Sequence, residues 1–397
     1  MTRPGYKMTE IGEIPEEWEV LAFEEAFNKQ KSKQSKIPAS KFKNKGKFPI
    51  IDQGRGLISG YTDNDELLYN GNLPLIIFGD HTLCVKYVDF QFAVGADGTK
   101  LLIPNNQRFS PKFLFYTILE KNLISEGYKR HFSKLRKQFF QCPGINEQRK
   151  IAEILSTADE TIQKVNEEIT LTEKLKKGLM QTLLTKGTGH TKFKMTEIGE
   201  IPEEWNVKEL YQVSELRKET IEPMKKMSEH YVGLENISSG QLRIFSYGDV
   251  TNLKSSKFKF KKGDILYGKL RPYLDKVALA ETDGVCSTDI IPILSKNLNA
   301  RFLAYMLHSD LFLQFVKSTI SGTNHPRTAW KQMSHFLLPF PSVSEQQKIT
   351  EILATVDSKL ELLGNKKKHL ENLKKGLMGD LLTGKVRVKM NTSKGED

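Results

Sequence analysis

Clusters of basic, amide and aromatic side chains are the residues of this chain whose types and spacing could do chemistry. The stretch from Lys29 to Lys47 contains eight lysines, and a second basic stretch reads YKRHFSKLRKQ. Further along, KFKF alternates lysine with phenylalanine, and SGTNHPR places Asn324 close to Arg327. Lysines and hydroxyl groups suit contacts with phosphate, whereas arginine, asparagine and glutamine suit paired hydrogen bonds to base edges. These clusters favour binding of a nucleic acid over bond-making chemistry.

The residues that we predict to contact DNA lie in these stretches and in the segment KLRPY. They are Lys41, Lys43, Lys129, Arg130, His131, Lys134, Arg136, Lys257, Lys259, Lys269, Arg271, Tyr273, Thr323, Asn324 and Arg327. Each lysine taken alone could serve only to keep the surface solvated. The loop SGTNHPR is the more specific signal, because a glycine-containing polar loop with asparagine and arginine is suited to reading bases.

The net charge of +12 is concentrated in two separate blocks of the chain. Residues 21–145 carry a net charge of +8 and residues 208–343 carry +6, so together they exceed the excess of the whole chain. Like charge in two blocks indicates two surfaces for a polyanion. Charge alone fits a generic solvated surface equally well.

The motifs of common catalytic centres are missing from the sequence. It contains no GxxxxGK[ST] loop for a nucleoside triphosphate, no HExxH pair for zinc, and glycines in DQGRGLISG that do not fit GxGxxG. It also lacks a motif for amino-methyl transfer and a convincing nuclease centre. We therefore predict a non-catalytic protein that binds no cofactor and no metal.

The cysteines and the apolar content of the sequence indicate the compartment. Cys84, Cys142 and Cys286 lie far apart without a CxxC pair, so we expect reduced thiols rather than a disulfide framework or a zinc site. We find no apolar run long enough to span a membrane, and MTRPGYKMTE does not resemble a secretory signal. These observations predict a cytoplasmic protein.

Three segments of the chain occur twice. KMTEIGEIPEEW is identical at 7–18 and 194–205, and EQRKIAEILSTADETI at 147–162 recurs as EQQKITEILATVDSKL at 345–360. LKKGLMQTLLT at 175–185 recurs as LKKGLMGDLLT at 373–383. The segments between the repeats are dissimilar. Duplication of this kind predicts internal symmetry, with one scaffold used twice and two different domains carried on it.

The longer repeats have the apolar spacing of helices. Steps of three and four predict an apolar stripe and a coiled-coil seam, and we expect the two helices to pack on each other in antiparallel orientation. The residues predicted to pack between them are Ile151, Leu155, Ile162, Val165, Ile349, Leu353, Leu360 and Leu363. The alternative is that each helix packs only on its own globular block. Gly178 and Gly376 could mark a bend or a close approach of the helices.

Each dissimilar block combines short strand-like runs with a late helical stretch, which is typical of an α+β domain. The predicted fold is therefore α+β, with two globular domains separated by two long antiparallel α-helices in a pseudo-two-fold repeat. The predicted boundaries are 1–145 for the first domain with its leading segment and 146–187 for the first helical spacer. They continue with 188–343 for the linker, second leading segment and second domain, 344–386 for the second spacer, and 387–397 for the tail.

Taken together, IGEIPEEW, EQ(R/Q)KIxEIL after a proline, LKKGLM and the two variable blocks resemble the specificity subunits of type I restriction–modification systems. The resemblance covers nearly the whole chain, and GDILYGKLRPYLDKVALAETDGVCSTDIIPI looks like the core of a target-recognition domain. It implies that each block reads one half of a bipartite, asymmetric sequence in double-stranded DNA and that the helices set the spacing.

The same resemblance implies partners. Two modification subunits, which supply S-adenosylmethionine and adenine methylation, would dock on the helices and leading segments, and restriction subunits that use ATP would join them. Two other functions remain open from the residues alone. One is a self-sufficient methyltransferase or nuclease with an unrecognised centre, and the other is a scaffold that binds proteins without reading DNA.

Overall fold

The computed structural model describes residues 2–30, 34–127, 129–222, 230–250, 255–320 and 325–389. The chain divides into two compact units: the first comprises Met1–Asn166 and Lys366–Asp397, and the second comprises Glu167–Asn365. Two long helices, Ile145–Lys186 and Val343–Leu381, each contribute residues to both units. Each unit therefore combines a globular domain with the start of one long helix and the end of the other.

The first unit contains a hairpin and three further sheets. Its strands are β1 (Tyr6–Thr9), β2 (Gly12–Pro15), β3 (Glu19–Ala22), β4 (Phe27–Asn28), β5 (Phe48–Ile51), β6 (Gly60–Thr62), β7 (Leu75–Gly79), β8 (Val85–Val88), β9 (Ala93–Val94), β10 (Thr99–Pro104) and β11 (Phe139–Cys142). Its helices are α1 (Phe23–Ala26), α2 (Pro111–Glu120), α3 (Phe132–Arg136) and the first part of α4 (Ile145–Lys186). β1 pairs with β2 and β3 with β11, the central sheet has the order β4-β10-β7-β8, and a smaller sheet has the order β6-β5-β9.

The second unit repeats this plan. Its strands are β12 (Phe193–Thr196), β13 (Gly199–Pro202), β14 (Asn206–Glu209), β15 (Ser214–Leu216), β16 (Thr220–Ile221), β17 (His230–Val232), β18 (Lys257–Phe260), β19 (Ile265–Gly268), β20 (Val277–Leu279), β21 (Gly284–Cys286), β22 (Ile290–Ser295) and β23 (Leu337–Phe340). Its helices are α5 (Leu210–Val213), α6 (Ala300–Leu307), α7 (Asp310–Ser318), α8 (Trp330–Met333) and the first part of α9 (Val343–Leu381). β12 pairs with β13 and β14 with β23, and the larger sheets have the orders β15-β22-β19-β20 and β16-β18-β21-β17.

The two globular domains share one topology although their sequences differ. The central sheets correspond strand for strand, β4-β10-β7-β8 to β15-β22-β19-β20. The second sheets correspond in their parallel pair, since β5 lies parallel to β9 and β17 lies parallel to β21. The α+β fold and the internal repeat are thus confirmed.

The long helices pack on the globular domain and on each other within each unit. In the first unit, Ile151 and Leu155 share a core with Leu381 from the end of α9. In the second unit, Ile349 and Leu353 share a core with residues from the end of α4, including Leu183 and Leu184, so the start of one helix meets the end of the other. The helices are therefore antiparallel within each unit. They pack on each other and also on the globular domain, so both kinds of packing considered from the sequence occur together.

The remaining residues predicted for the helix pair are less uniformly covered. Val165 and Leu363 are buried, whereas Ile162 and Leu360 are half-buried. Both helices run without interruption through Gly178 and Gly376. Within the described residues, a Cβ at either glycine would meet no atom within 4 Å, so neither marks a close approach of the helices.

A tyrosine–aspartate–lysine group links the two helices to the globular domain in each unit. In the second unit, Asp357 of α9 accepts a hydrogen bond from Tyr305 Oη at 2.7 Å and pairs with Lys176 Nζ of α4 at 2.8 Å. In the first unit, Asp159 of α4 accepts from Tyr116 Oη at 2.8 Å and pairs with Lys374 of α9. The same three residue types therefore join the same three elements twice.

A buried glutamate at the start of each long helix holds the preceding hairpin segment. Glu345 accepts hydrogen bonds from Trp205 Nε1 at 2.7 Å, His190 Nε2 at 2.7 Å and the Thr188 amide at 3.0 Å. In the first unit, Glu147 accepts from Trp18 Nε1 at 3.1 Å and from Arg387 Nε at 2.7 Å. We call these groups the tryptophan–glutamate clusters.

Among the described helices, none combines the length and the apolar character needed to cross a membrane.

Candidate nucleic-acid interface

In the second unit, two loops that carry predicted contact residues are hydrogen-bonded to each other. Lys269 follows the end of β19, and its carbonyl accepts from the Thr328 amide at 3.1 Å. Two residues later, the Arg271 amide donates to the Pro326 carbonyl at 2.7 Å. Arg327 lies between these two points, so the segments KLRPY and HPRT form one continuous surface.

This surface presents a cationic and aromatic group to solvent. The Arg327 side chain is exposed, and its Nε donates to Asp289 Oδ1 at 3.1 Å, which fixes part of the guanidinium while leaving other N–H groups open. Arg271 is exposed in the left-handed region, with φ of 50°, and Tyr273 is 47% exposed. Backbone strain of this kind persists only where surrounding structure imposes it. Guanidinium and phenol groups held this way suit contacts with phosphates and base edges.

The first unit forms the corresponding surface at the end of β7. The Asp80 carbonyl accepts from the His131 amide at 2.7 Å, and Asp80 Oδ1 accepts from the Phe132 amide at 2.8 Å. Although burial raises it, hydrogen bonding from Phe132 and attraction to Lys100 leave the pKa of the Asp80 carboxyl below its ordinary value. Arg130, exposed, immediately precedes the residue that binds the strand end, as Arg327 does in the second unit.

Two of the predicted contact residues lie inside the domains. His131 is fully buried: its Nδ1 donates to the Asp80 carbonyl at 3.0 Å and its Nε2 accepts from the Glu126 amide at 3.1 Å. Lys257 is 6% exposed, and its Nζ donates to the Ser255 carbonyl and hydroxyl, both at 2.7 Å. A buried polar group must find partners within the protein, and both residues have done so. Their placement makes them supports of the loops rather than surface contacts.

The remaining predicted residues of the first block are exposed or half-buried, and several are ion-paired. Lys43 pairs with Asp63 at 2.8 Å and Arg136 with Glu24 at 2.7 Å. Lys129 and Lys134 both lie near Glu126, at 3.9 and 2.7 Å, and Lys41 ends an exposed 3-10 turn. Exposed pairs of this kind contribute little to stability, so these cations could exchange their carboxylates for phosphates.

In the second block, Lys259 and Lys269 are half-buried. Thr323 and Asn324 lie outside the described residues.

Sequence reasoning did not find several residues of these units that matter. Lys100 and Lys218 were missed, because isolated lysines carry no spacing signal. Lys36 belongs to the lysine-rich stretch but was not among the predicted contacts. The two tyrosine–aspartate–lysine groups were also missed. The latter did have a signal: Asp159 and Asp357, like Lys176 and Lys374, occupy matching positions of the repeats. Among the described residues, no group of three or more histidine, cysteine, aspartate or glutamate side chains could hold a metal ion.

The chain matches one protein family along most of its length. A family model described as the type I restriction modification DNA specificity domain matches residues 15–173 and again 202–372. The type I restriction enzyme MjaVIII specificity subunit of Methanocaldococcus jannaschii is 27% identical over 404 residues, which cover 95% of this chain and 94% of that protein. The putative MjaX specificity subunit of the same organism is 27% identical over 435 residues, which cover 97% of each.

The fold is also that of a solved protein. The crystal structure of a type I restriction–modification system S subunit from M. genitalium aligns with a TM-score of 0.59 at 17% sequence identity, covering 98% of this chain and 100% of that one. The two matched ranges of the family model each contain one globular domain and most of one long helix. The chain therefore belongs to the family of type I restriction–modification DNA specificity subunits, and it is a specificity subunit rather than a catalytic one.

Proposed function

We propose that each unit of this subunit reads one half of a bipartite, asymmetric sequence in double-stranded DNA. The observation that carries the proposal is one topology used twice with different side chains at the same loop. Asp80 follows the central strand β7 in the first unit, and Lys269 follows the corresponding strand β19 in the second. Asp80 is buried beneath its loop, whereas Lys269 is half-buried and lies beside the exposed Arg271. The two loops therefore present different side chains, and unlike half-sites are expected.

The candidate contacts for this reading are the exposed and half-buried predicted residues of the two loop surfaces. In the second unit these are Lys269, Arg271, Tyr273 and Arg327, and in the first unit Arg130 is the best placed. The predicted domain boundaries divide the chain accordingly, with 1–145 and 188–343 carrying the readers and 146–187 and 344–386 carrying the spacers. We expect the complex to act in the cytoplasm, where the host DNA lies.

We further propose that two copies of the modification subunit dock on the repeated scaffold, and that restriction subunits join through them. Exposed apolar residues occur in matching pairs: Met8 and Met195 at the hairpin turns are 67% and 78% exposed, and Leu175 and Leu373 on the helices are 55% and 50% exposed. Repeated exposed apolar groups indicate an interaction surface used twice. Two identical partners require two identical surfaces.

Exchange of one reader tests the first proposal. Residues 208–343 are replaced by the corresponding block of another specificity subunit, and the methylated sequence is determined by methylome sequencing of a host that carries the system. One half of the methylated sequence should change while the other half and the spacing stay the same. Exchange of residues 21–145 is the matched control and should change the opposite half. If either exchange alters both halves, the model of two independent readers is wrong.

Charge placed in the apolar pairs tests the docking proposal. Met8→Glu and Met195→Glu should each reduce the amount of modification subunit that co-purifies with the chain, and together they should abolish the complex. Lys7→Glu and Lys194→Glu, next to these residues in the same strands, are the matched controls. Unchanged co-purification of the double methionine variant would contradict the proposal.

A further inference from the structure

Each globular domain contains a cleft at the same place in its fold. The cleft of the first unit has a volume of about 810 Å³, and that of the second about 400 Å³. Both lie over the corresponding strands β10 and β22, beside the chain that leaves β4 and β15. The first residue of the short helix, Phe132 in one domain and Trp330 in the other, lines each cleft. We call these the first and the second nucleotide-sized clefts, because pockets of this volume fit a small ligand.

The described lining of both clefts is strongly cationic. Lys29, Lys36, Lys100 and Arg136 line the first cleft together with one acid, Glu24. Two of these cations, Lys36 and Lys100, are close enough to repel each other. Lys36 Nζ donates a hydrogen bond to the carbonyl of Thr99, which also lines the cleft, at 2.6 Å.

In the second cleft the cations are Arg217, Lys218, Lys269 and Arg327, and no acid is among the described lining residues. Arg217 and Arg327 each pair with an aspartate beside the cleft, Asp264 at 2.6 Å and Asp289 at 3.1 Å. A further cavity of the second unit differs, since Asp275, Asp310 and Glu173 line it beside two lysines. Cations gathered in both corresponding clefts, although the residues differ, indicate a ligand that carries phosphate.

The first cleft also contains two polar groups in an unfavourable environment. Desolvation of its ammonium and repulsion from Lys100 lower the pKa of Lys36 from its ordinary value, although attraction to Asp97 and Asp80 opposes the change. The Thr99 hydroxyl is buried and has no hydrogen-bond partner among the described residues. An unpaired buried hydroxyl is uncommon in folded proteins and calls for an explanation. A bound anion would offset the repulsion between the Lys36 and Lys100 ammonium groups.

An aromatic wall stands beside the cations in each cleft. Phe132 is half-buried, and Lys100 Nζ lies 5.3 Å from its ring centroid. In the second cleft, Trp330 and Phe258 are both half-buried. Bases stack on aromatic rings of this kind while cations bind the backbone.

We propose that each cleft binds one nucleotide, with its phosphate on the cations and its base against the aromatic wall. The nucleotide that we favour is one unstacked from the bound DNA, and for this choice the inference rests on the proposed function. Lys269 and Arg327 line the second cleft and also belong to the loop surface, so DNA on that surface lies at the mouth of the cleft. A free nucleotide has the same chemistry, and the experiment separates the two sources.

The test uses the chain in complex with its modification subunit and DNA that carries the methylated sequence. A single mismatch is placed at each position of the target and its flanks in turn, leaving the adenines that become methylated unaltered, and affinity is measured by titration at fixed salt. Unstacking a mismatched base costs less than unstacking a paired one. We therefore expect one position near each half-site at which a mismatch tightens binding by about tenfold, where ordinary mismatches weaken it.

Substitutions in the clefts assign the effect. Lys36→Ala should remove the gain at the first half-site only, and Lys218→Ala should remove it at the second only. Lys45→Ala and Lys262→Ala, exposed lysines outside the two clefts, are the matched controls and should preserve it. Circular dichroism confirms that each variant is folded.

A second arm measures binding of free deoxynucleoside monophosphates by calorimetry. Binding that Lys36→Ala or Lys218→Ala abolishes, without any tightening mismatch, supports the clefts with a free nucleotide as their occupant. The proposal is overturned if neither ligand responds to the cleft variants. Failure of the wild-type complex to prefer its methylated sequence over unrelated DNA would instead refute the proposed function, so the two failures are distinguishable.

Discussion

Removal of the Glu345 carboxylate should destabilise the second unit far more than an ordinary change at the start of a helix. Glu345 is 8% exposed and accepts the indole N–H of Trp205, itself 1% exposed, at 2.7 Å. In Glu345→Ala that N–H has lost its acceptor inside the protein, which costs about 2 kcal/mol. Loss of the charged acceptor for Thr188 and His190, which are half-buried and can reach water, adds about 1 kcal/mol. The expected loss is therefore about 3 kcal/mol.

Hydrogen exchange measured by mass spectrometry is the assay, because it reports local opening segment by segment. Peptides that contain Trp205 and the start of α9 should exchange faster in Glu345→Ala by the factor that corresponds to about 3 kcal/mol, roughly a hundredfold. Gln347→Ala, an exposed residue of the same helix turn, is the control and should change exchange little. If the two variants exchange alike, the cluster does not hold the hairpin segment and the reasoning is refuted.

The same cluster predicts a dependence on pH. Although burial raises it, the hydrogen bond from the Thr188 amide and those from Trp205 and His190 hold the pKa of Glu345 below its ordinary value of 4.5. A carboxyl with a depressed pKa contributes stability above its unfolded pKa and loses it as pH falls through the folded pKa. The stability of the wild type, measured as its unfolding midpoint, should therefore decrease as the pH falls below about 4.5. This decrease should be smaller in Glu345→Gln, which has no carboxyl group to protonate at that position.

Four other substitutions follow from the structure. Arg327→Ala should weaken binding by about 1–3 kcal/mol and relax base preference in one half-site only, measured by competition among half-site variants; uniform weakening across sequences would indicate a phosphate contact instead. Asp357→Ala should cost about 3 kcal/mol in denaturant unfolding, because it leaves the ammonium of Lys176, 9% exposed, without its carboxylate. Gly178→Ala and Gly376→Ala should each raise stability by about 0.5–1 kcal/mol in thermal unfolding, since a Cβ meets no described atom there; a loss would reveal a contact at these positions.

The sequence predicted those features that depend on repetition and periodicity. The steps between Ile151 and Leu155, and between Ile349 and Leu353, are those of an α-helix, and all four residues are fully buried. The packing of the helices on each other was expected because each has an apolar stripe to cover. Their antiparallel orientation was expected from the pseudo-two-fold symmetry of the repeat. Periodicity could not say how much of each stripe is covered, and Leu175, which continues the same spacing, is 55% exposed.

The common topology of the two domains was not visible in their sequences. A short strand needs only alternating or continuous apolar residues. The strands β7 (LIIFG) and β19 (ILYG) can therefore occupy the same position in their sheets although the two blocks have dissimilar sequences. Burial of polar residues was equally hidden. His131 stands among five basic residues and reads as part of a cationic surface, yet the Asp80 carbonyl and the Glu126 amide are its partners.

The residues that hold each unit together are separate from the candidate contact residues of the loop surfaces, and this separation explains how one scaffold carries two different domains. Each unit contains one tryptophan–glutamate pair and one tyrosine–aspartate–lysine group, and the residue types of both are the same in the two units. The loops after β7 and β19 share a backbone hydrogen bond to the residue after the strand and an exposed arginine before the donor residue, and they differ in their other side chains. Because backbone groups bind whatever side chain is present, substitutions in these loops alter the surface at little cost to stability. The clusters differ in a further partner of the glutamate, Arg387 in the first and His190 in the second, and both residues lie in segments that follow the long helices.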